Sequence, residues 1–577
     1  MTIAGWAQIA LFVALLTALT PVIGAYMARV YDGERHALGA VLGPLERLTY
    51  RLLGPAARGE QDWKGYARSL LAFSAASWLG LYLVLRLQGS LPWNPEGFGP
   101  MPWDVAFNTT SSFVTNTNWQ YYAGETTLSY FSQMAGLAVQ NFVSAAVGMA
   151  AVVAVIRGIV RRGGSDLGNF WVDLTRTLLY VLLPISLVAA IFLVSQGTLQ
   201  TLDPYVHLRT LTGGSQTLAL GPVASQEAIK QLGTNGGGFF NVNSAMPFEN
   251  PSALTNFVEM LLILVIPAGL TATFGRMVGS RRQGWTLYAA MLLMFVAGVA
   301  IVYAAEAHGS PAQHAAGIAG VNLEGKEQRF GAGGSALWVA VTTVASCGAV
   351  NAAMESLTGI GATVPLANMS TGEVIFGGTG TGLLSMLLFV LLAVFIAGLM
   401  VGRTPELLGK KVEAREIKLV MIGTLAMPLI VLTAVSLAVA TRYGAPSNFA
   451  SGPQGFTETL YAYISQTNNN GSAFAGYTGF VQPNAPGNAG SYGITFADLL
   501  GGFAMLFGRF VPILAGLAIA GGLAGKRVSP PGPGTMRTDT PTFVVLLIGT
   551  ILLLALLTFV PALLLGPVVQ GLTGRLF

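Results

Sequence analysis

Backbone oxygens, more than side chains, are the chemistry this 577-residue sequence offers. In Gln231-Leu-Gly-Thr-Asn-Gly-Gly-Gly-Phe-Phe-Asn241, three consecutive glycines follow a threonine and an asparagine, between long apolar runs. Glycine reaches the positive φ angles that turn successive carbonyls to one side, and rings of carbonyls can replace the hydration shell of a cation, as in potassium filters. Comparable stretches are Val114-Thr-Asn-Thr-Asn-Trp-Gln120, Ala345-Ser-Cys-Gly-Ala-Val-Asn351 and Gln466-Thr-Asn-Asn-Asn-Gly-Ser472. Set on Thr117, Gly236, Gly348 and Gly471, they recur roughly every 110–125 residues, as one unit used four times would. The expected ion ligands are Thr115, Asn116, Thr117 and Asn118; Thr234, Asn235, Gly236 and Gly237; Ser346, Cys347 and Gly348; and Asn468, Asn469, Asn470 and Gly471. With Thr117 where the other stretches carry glycine, the ring is expected to be only pseudo-fourfold. A single cluster of this kind is usually an external turn. Four alike, each behind a short helix, point to a pore.

Such loops need a scaffold that buries irregular backbone, because at membrane depth it survives only inside protein or around water. The composition supplies one. Hydrophobic residues make up 53% of the chain and charged residues 10%, against roughly 25% charged in soluble domains, so this is an integral membrane protein. Runs of the ~17–25 residues that cross a bilayer lie near 4–28, 68–88, 130–155, 177–197, 254–274, 285–305, 378–402, 418–440, 497–524 and 542–563. The fold class is therefore all-α, with ten transmembrane helices. The net charge of +5 is small and no basic run is interleaved with aromatics, which excludes a nucleic-acid partner. A lone cysteine, Cys347, and four scattered histidines leave no disulfide or cysteine-based metal cluster.

Lys and Arg collect in alternate connections: Arg29 to Lys64, Arg157 to Arg176, Arg276 to Arg282, Arg403 to Lys418, and Lys526 to Arg537. The intervening connections 89–130 and 443–496 have none. By the positive-inside rule both termini and all four Gly/Asn/Thr stretches face outside. Each stretch follows a segment too short to cross, at 103–115, 226–233, 335–346 and 457–466. A short helix entering from outside directs its negative C-terminal dipole end at the loop, favouring a cation there. Asp104, Glu227 and Glu458 are expected in first helical turns, with Ser335 as the N-cap of the remaining helix. These acids and Glu249 could also draw cations to the mouth. The expected layout is an extra span with its cytoplasmic loop (1–66), repeats at 67–160, 161–280, 281–410 and 411–530, and an extra C-terminal span (531–577).

Further stretches carry a family resemblance over essentially the whole chain: Ser112 to Gln120, Gly124-Glu-Thr-Thr-Leu-Ser-Tyr-Phe-Ser-Gln-Met-Ala-Gly136, Gly221-Pro-Val-Ala-Ser-Gln-Glu-Ala-Ile-Lys230, Asn322-Leu-Glu-Gly-Lys326, Gly402-Arg-Thr-Pro-Glu406 with Gly409-Lys-Lys411, and Asn468-Asn-Asn-Gly-Ser-Ala-Phe-Ala-Gly476. With these the sequence closely resembles the potassium-translocating A subunits (KdpA) of bacterial Kdp ATPases, within the superfamily of potassium transporters. The resemblance implies that potassium is selected from outside by the four-loop filter and passed to a P-type ATPase subunit (KdpB), with small membrane subunits (KdpC, KdpF), in the bacterial inner membrane. It also implies that the glycine cluster Gly377-Gly-Thr-Gly-Thr-Gly382 is an intramembrane gating loop below the filter.

The residues themselves agree that energy comes from elsewhere. Lys326, Lys410 and Lys526 follow glycine but not in a phosphate-binding loop, and an Asp-Lys-Thr-Gly phosphorylation motif is absent. The chain is thus expected to bind no nucleotide and to be no enzyme by itself. A stand-alone potassium channel or ion-coupled transporter of the same superfamily is the alternative. A transporter of organic solutes would show inverted repeats, whereas these units all enter from one side. Expected on the ion path or its gate are Gln120, Glu373, Gly377, Gly378, Gly380, Arg403 and Arg509. Arg509 lies mid-span, where an arginine costs roughly 2.5–3.5 kcal/mol on insertion scales. It must face a cavity or a partner, either as a structural ion pair or as a fixed charge below the filter. Arg403, at a helix C-terminus facing the cytoplasm, fits a topological anchor better than a place on the path, and Gly402 to Glu406 could contact the energising subunit.

Overall fold

In hydrocarbon every backbone polar group must be satisfied within the protein, which leaves helices as the spanning element for such apolar runs. The computed structural model describes residues 1–444, 447–478, 492–530 and 535–573. Among these, ten helices are long and apolar enough to cross a membrane, beginning with Ile3–Asp32, Trp63–Ser90 and Ser132–Val160 and ending with Pro541–Leu572. They follow the expected runs, most with longer ends, while the seventh, Thr381–Met400, is shorter than the expected 378–402. Span 2 begins early because Asp62 caps it, accepting from the Gly65 amide at 2.8 Å. Parts of two expected regions, 479–491 of the last outer connection and 531–534 with 574–577 of the C-terminal unit, lie outside the described residues.

Burial sorts the spans. The first and last have 33% of their apolar window buried and span 2 has 22%, whereas span 3 reaches 83% and spans 5 and 7 (Ala253–Met277 and Thr381–Met400) reach 72%. In each of the four span pairs, the span after the Gly/Asn/Thr loop is more buried than the one before it. The inner spans are rich in small residues, which lets backbones meet without side chains between them. At Gly158, for example, a Cβ would lie 2.6 Å from the Ala520 Cβ and carbonyl oxygen.

Four short helices enter between the spans: Trp103–Val114, Val223–Leu232, Gly331–Val344 and Gly452–Thr467. We call them pore helices 1 to 4. The last three start three to five residues before the expected positions. Proline, which is preorganised for a helix start, sits at the N-cap of pore helix 2 (Pro222) and in the first turn of pore helix 4 (Pro453). Pore helix 3 begins after Phe330, so Ser335 is an interior residue and not its N-cap. Only Asp104 occupies a first turn; Glu227 and Glu458 sit one turn in, fully buried.

Two antiparallel ribbons complete the fold, Val206–Arg209 with Ser215–Leu218 and Glu406–Leu407 with Lys410–Lys411. Leu408 and Gly409 turn the second at φ 50° and 78°, the pairing a tight hairpin requires. Its Lys410 Nζ donates to the carbonyls of Gly158 at 3.1 Å, Leu523 at 2.8 Å and Arg161. The hairpin thereby caps spans 3 and 9 together, satisfying carbonyls that helix ends leave free.

Candidate functional site: a ring of four loops

Each pore helix ends in the same four-residue turn. The cap residue (Thr115, Gly233, Ala345, Asn468) is followed by a left-handed residue: Asn116 at φ 71°, Thr234 at 48°, Ser346 at 49° and Asn469 at 53°. The next residue (Thr117, Asn235, Cys347, Asn470) donates its amide back five positions, to the carbonyls of Ser112, Lys230, Thr342 and Ser465, at 2.9–3.0 Å. Then come Asn118, Gly236, Gly348 and Gly471. This corrects the register expected from sequence: the counterpart of the three glycines is Asn118, not Thr117. Asn118 takes φ 57° and Gly471 φ 95°, whereas Gly236 and Gly348 do not take a positive φ; asparagine tolerates that conformation better than most side chains. Thr115 and Asn468, expected as ligands, belong to the helix caps.

The loops close on one another in order. Asn116 Nδ2 of loop 1 donates to the Thr234 carbonyl of loop 2 at 2.9 Å, and Asn235 Nδ2 returns a bond to Asn116 Oδ1 at 2.7 Å. The Gly348 amide of loop 3 donates to the Asn235 carbonyl of loop 2 at 2.7 Å. Asn470 Nδ2 of loop 4 reaches the Thr342 carbonyl of pore helix 3 at 2.9 Å, and a Cβ on Gly348 would lie 2.8 Å from the Asn470 carbonyl oxygen. Asn469 Nδ2 meets Thr117 Oγ1 at 2.9 Å, closing loop 4 on loop 1. A Cβ on Gly236 would overlap the backbone of Gly348, and one on Gly471 the carbonyl of Thr117. Asn118 and Gly237 also meet: a Cβ on Gly237 would lie 2.9 Å from the Asn118 carbonyl oxygen. The expected loop residues are thus brought to one place, deep in the bundle, at the C-terminal ends of four helix dipoles.

Above the ring a vestibule of about 1090 Å³ is lined by Asn118, Gln120, Gly237, Gly348 and Gly471, and by Glu324, Glu327 and Glu355. Gln120 Oε1 accepts from the Gly238 amide at 3.0 Å, so it ties loops 1 and 2 on the outer side. The acids expected at the mouth are elsewhere. Asp104, Glu227, Glu249 and Glu458 are all buried, because they satisfy local partners. The vestibule carboxylates come from the Asn322–Lys326 stretch and its surroundings, which sequence reasoning did not place there.

Below the ring lies the glycine cluster. Thr379 donates its amide to Thr234 Oγ1 at 2.7 Å and its hydroxyl to the Gly233 carbonyl at 2.8 Å. Gly380, at φ 94°, presses against the backbone of Gly148 in span 3 with no room for a Cβ, and Gly378 lies beside Ser346. Glu373, itself left-handed at φ 63°, lines a small cavity with Thr381, Asn469 and Arg509. Buried Arg509 donates to Thr381 Oγ1 and to the Ser144 carbonyl, both at 3.0 Å. Gly377, Gly378, Gly380, Glu373 and Arg509 are therefore gathered under the ring. Arg403 is not: it is exposed beyond the far end of span 7, about 30 Å along a helix of that length. Sequence reasoning missed Thr379 and Ser144. Thr379 alternates with the glycines it had singled out, and only the fold places Ser144 Oγ within 2.8 Å of Asn116 Oδ1.

Comparison with known proteins identifies the family and the fold. The profile of a family described as Potassium-transporting ATPase A subunit matches residues 10–572. A Methylobacterium nodulans protein named potassium-transporting ATPase potassium-binding subunit is 55% identical, covering 100% of this chain and 98% of its own. A Mesorhizobium japonicum protein of the same name is 53% identical over 99% of both. Among solved structures, the potassium transporter TrkH of Vibrio parahaemolyticus superposes with a TM-score of 0.51 at 16% identity, covering 89% of this chain and 96% of that one; this is a likeness of fold.

Proposed function

The chain belongs to the potassium-transporting ATPase A subunit family, and from that premise we propose that the ring of four loops is its potassium filter. The chain is a multi-pass membrane protein of that complex. One observation carries the reading: four turns that share a left-handed residue and a return amide bond close on one another at the convergent C-terminal ends of four pore helices. Carbonyls held this way can take over the hydration shell of a monovalent cation, and the helix dipoles add a favourable field. The backbone ligands come from Asn116 to Asn118, Thr234 to Gly237, Ser346 to Gly348 and Asn469 to Gly471. The vestibule concentrates the ion, and Gln120 shapes its outer exit. Thr379 and the glycines around it form the constriction beneath.

Arg509 supplies a fixed positive charge under that constriction, with Glu373 on the same cavity wall. Two cations at close quarters repel, so the arginine limits passage straight through and favours a sideways exit toward the partner. In this reading the chain binds potassium as cargo, ATP is hydrolysed in a partner P-type subunit, and the chain itself catalyses nothing. It sits in the inner membrane with both termini outside, built from four repeats at 67–160, 161–280, 281–410 and 411–530 with an extra span at each end. Purified chain alone in liposomes is expected to give no sustained potassium flux, while the complex with its ATPase partner transports on ATP. Selective, ATP-independent flux through the chain alone would favour the stand-alone transporter instead.

A further inference from the structure

The four loops are alike except in how each pore helix holds its own loop. In loops 1, 3 and 4 a hydroxyl six residues before the last residue of the turn clamps the carbonyl of the residue that follows the turn. Ser112 Oγ donates to Trp119 O at 3.0 Å, Thr342 Oγ1 to Ala349 O at 2.6 Å, and Ser465 Oγ to Ser472 O at 2.6 Å. At the same place in pore helix 2 stands Lys230, which is fully buried. Its ammonium group does not take the hydroxyl's role; it pairs with Glu227 at 2.6 Å and with Glu249 at 2.9 Å, both acids likewise buried. Glu249 in turn accepts from the amide of Phe240, the second residue after the glycine triplet, at 3.0 Å, and its Oε1 would lie 2.9 Å from a Cβ on Gly238. Glu227 accepts from Ser244 Oγ at 2.8 Å and from Gln231 Nε2 at 2.6 Å.

We propose that Lys230 is the positioning residue of the second loop, holding its return limb through Glu249 where the other loops use a direct hydroxyl clamp. The inference rests on the filter reading given above. A lysine and two acids at such depth are costly to bury, and three hydroxyl-clamped neighbours prove that the fold does not need them for this turn. What the ion-paired strut adds is a stiffer anchor, because charge-assisted hydrogen bonds are roughly twice as strong as neutral ones. The glycine triplet has no side chains of its own with which to hold its shape. Loop 2, the most glycine-rich of the four, is the one that receives the strut.

The test is potassium-stimulated ATP hydrolysis by the purified complex, comparing Lys230→Arg, Glu249→Gln and the charge-balanced double variant Lys230→Met with Glu249→Gln. Thr342→Val and Ser465→Ala serve as controls on the other loops. Expected is a rise in the potassium KM of about tenfold or more in the double variant, with kcat within about twofold, a smaller rise in Glu249→Gln, and near-native KM in Lys230→Arg. If the controls raise KM and the assembled double variant does not, this inference fails while the filter reading stands. If the controls also leave KM unchanged, the filter reading itself fails. If neither the double variant nor Glu249→Gln assembles, Lys230 serves folding alone and the inference is overturned.

Discussion

Gly236 lies on the proposed ion path, where even a methyl group would run into the backbone of Gly348 in the next loop. Gly236→Asp is expected to raise the potassium KM of the complex at least ~10-fold, about 1.4 kcal/mol of binding, with assembly largely kept; an unchanged KM would place the filter elsewhere. A second residue-scale prediction concerns the outer end of pore helix 4. Burial, and then the hydrogen bond and charge of Glu355, push the Glu458 carboxyl up to about 8. Glu355 also accepts from the Gly476 amide at 2.6 Å and lines the vestibule. Below that pH the pair shares a proton; above it the pair carries one more negative charge. Between pH 7 and 9 the potassium KM is expected to fall about twofold, the scale of one charge acting through a mostly aqueous path, and Glu458→Gln should flatten that profile. Stability moves the other way. An unfolded glutamate titrates near ~4.3, so the folded pair favours the native state at low pH and loses that contribution as pH rises through about 8.

At the scale of elements, the contact between the glycine cluster and loop 2 joins gate to filter. Thr379→Val keeps the shape but removes the hydrogen bonds that the Thr379 hydroxyl shares with the Gly233 carbonyl and the Thr234 hydroxyl, each worth about 0.5–1.5 kcal/mol. The expected result is uncoupled potassium leak through the complex with near-native binding, measured in proteoliposomes; a tight, normally coupled variant would separate gate from filter. Elements also mark what sequence could and could not yield. The spans were legible because twenty apolar residues have one solution in a bilayer. The pore loops were legible because glycine and asparagine cluster nowhere else with that spacing. Their register was not, since a side chain, Asn118, stands where the other loops have glycine, and only the return amide bond of the preceding residue fixes the alignment. The starts of pore helices 2 and 4 slipped because acids suggested a first turn when Pro222 and Pro453 set it.

For the whole molecule, the question is how a pore becomes one subunit of a pump. The ring, the constriction and Arg509 lie in succession, and Arg509, with Glu373 on the same cavity wall, is the positive charge set in the proposed path. Arg509→Gln is expected to lower the potassium transported per ATP while changing the potassium KM less than threefold; a change in protein yield alone would make Arg509 a structural residue held by Thr381 and Ser144. A place below the filter is one of the two readings the sequence offers for it. The cost of a mid-span arginine calls for a cavity or a partner, and Arg509 has both: it lines a small cavity with Glu373 and donates to a hydroxyl and a carbonyl from two other spans, which sequence could not identify.

The most direct measurement is anomalous scattering from rubidium bound to the assembled complex. The account predicts density on the axis enclosed by Asn118, Gly236, Gly348 and Gly471, coordinated by backbone oxygens from all four loops. Ordered rubidium that is coordinated chiefly by side chains, or found only in the vestibule, would contradict it.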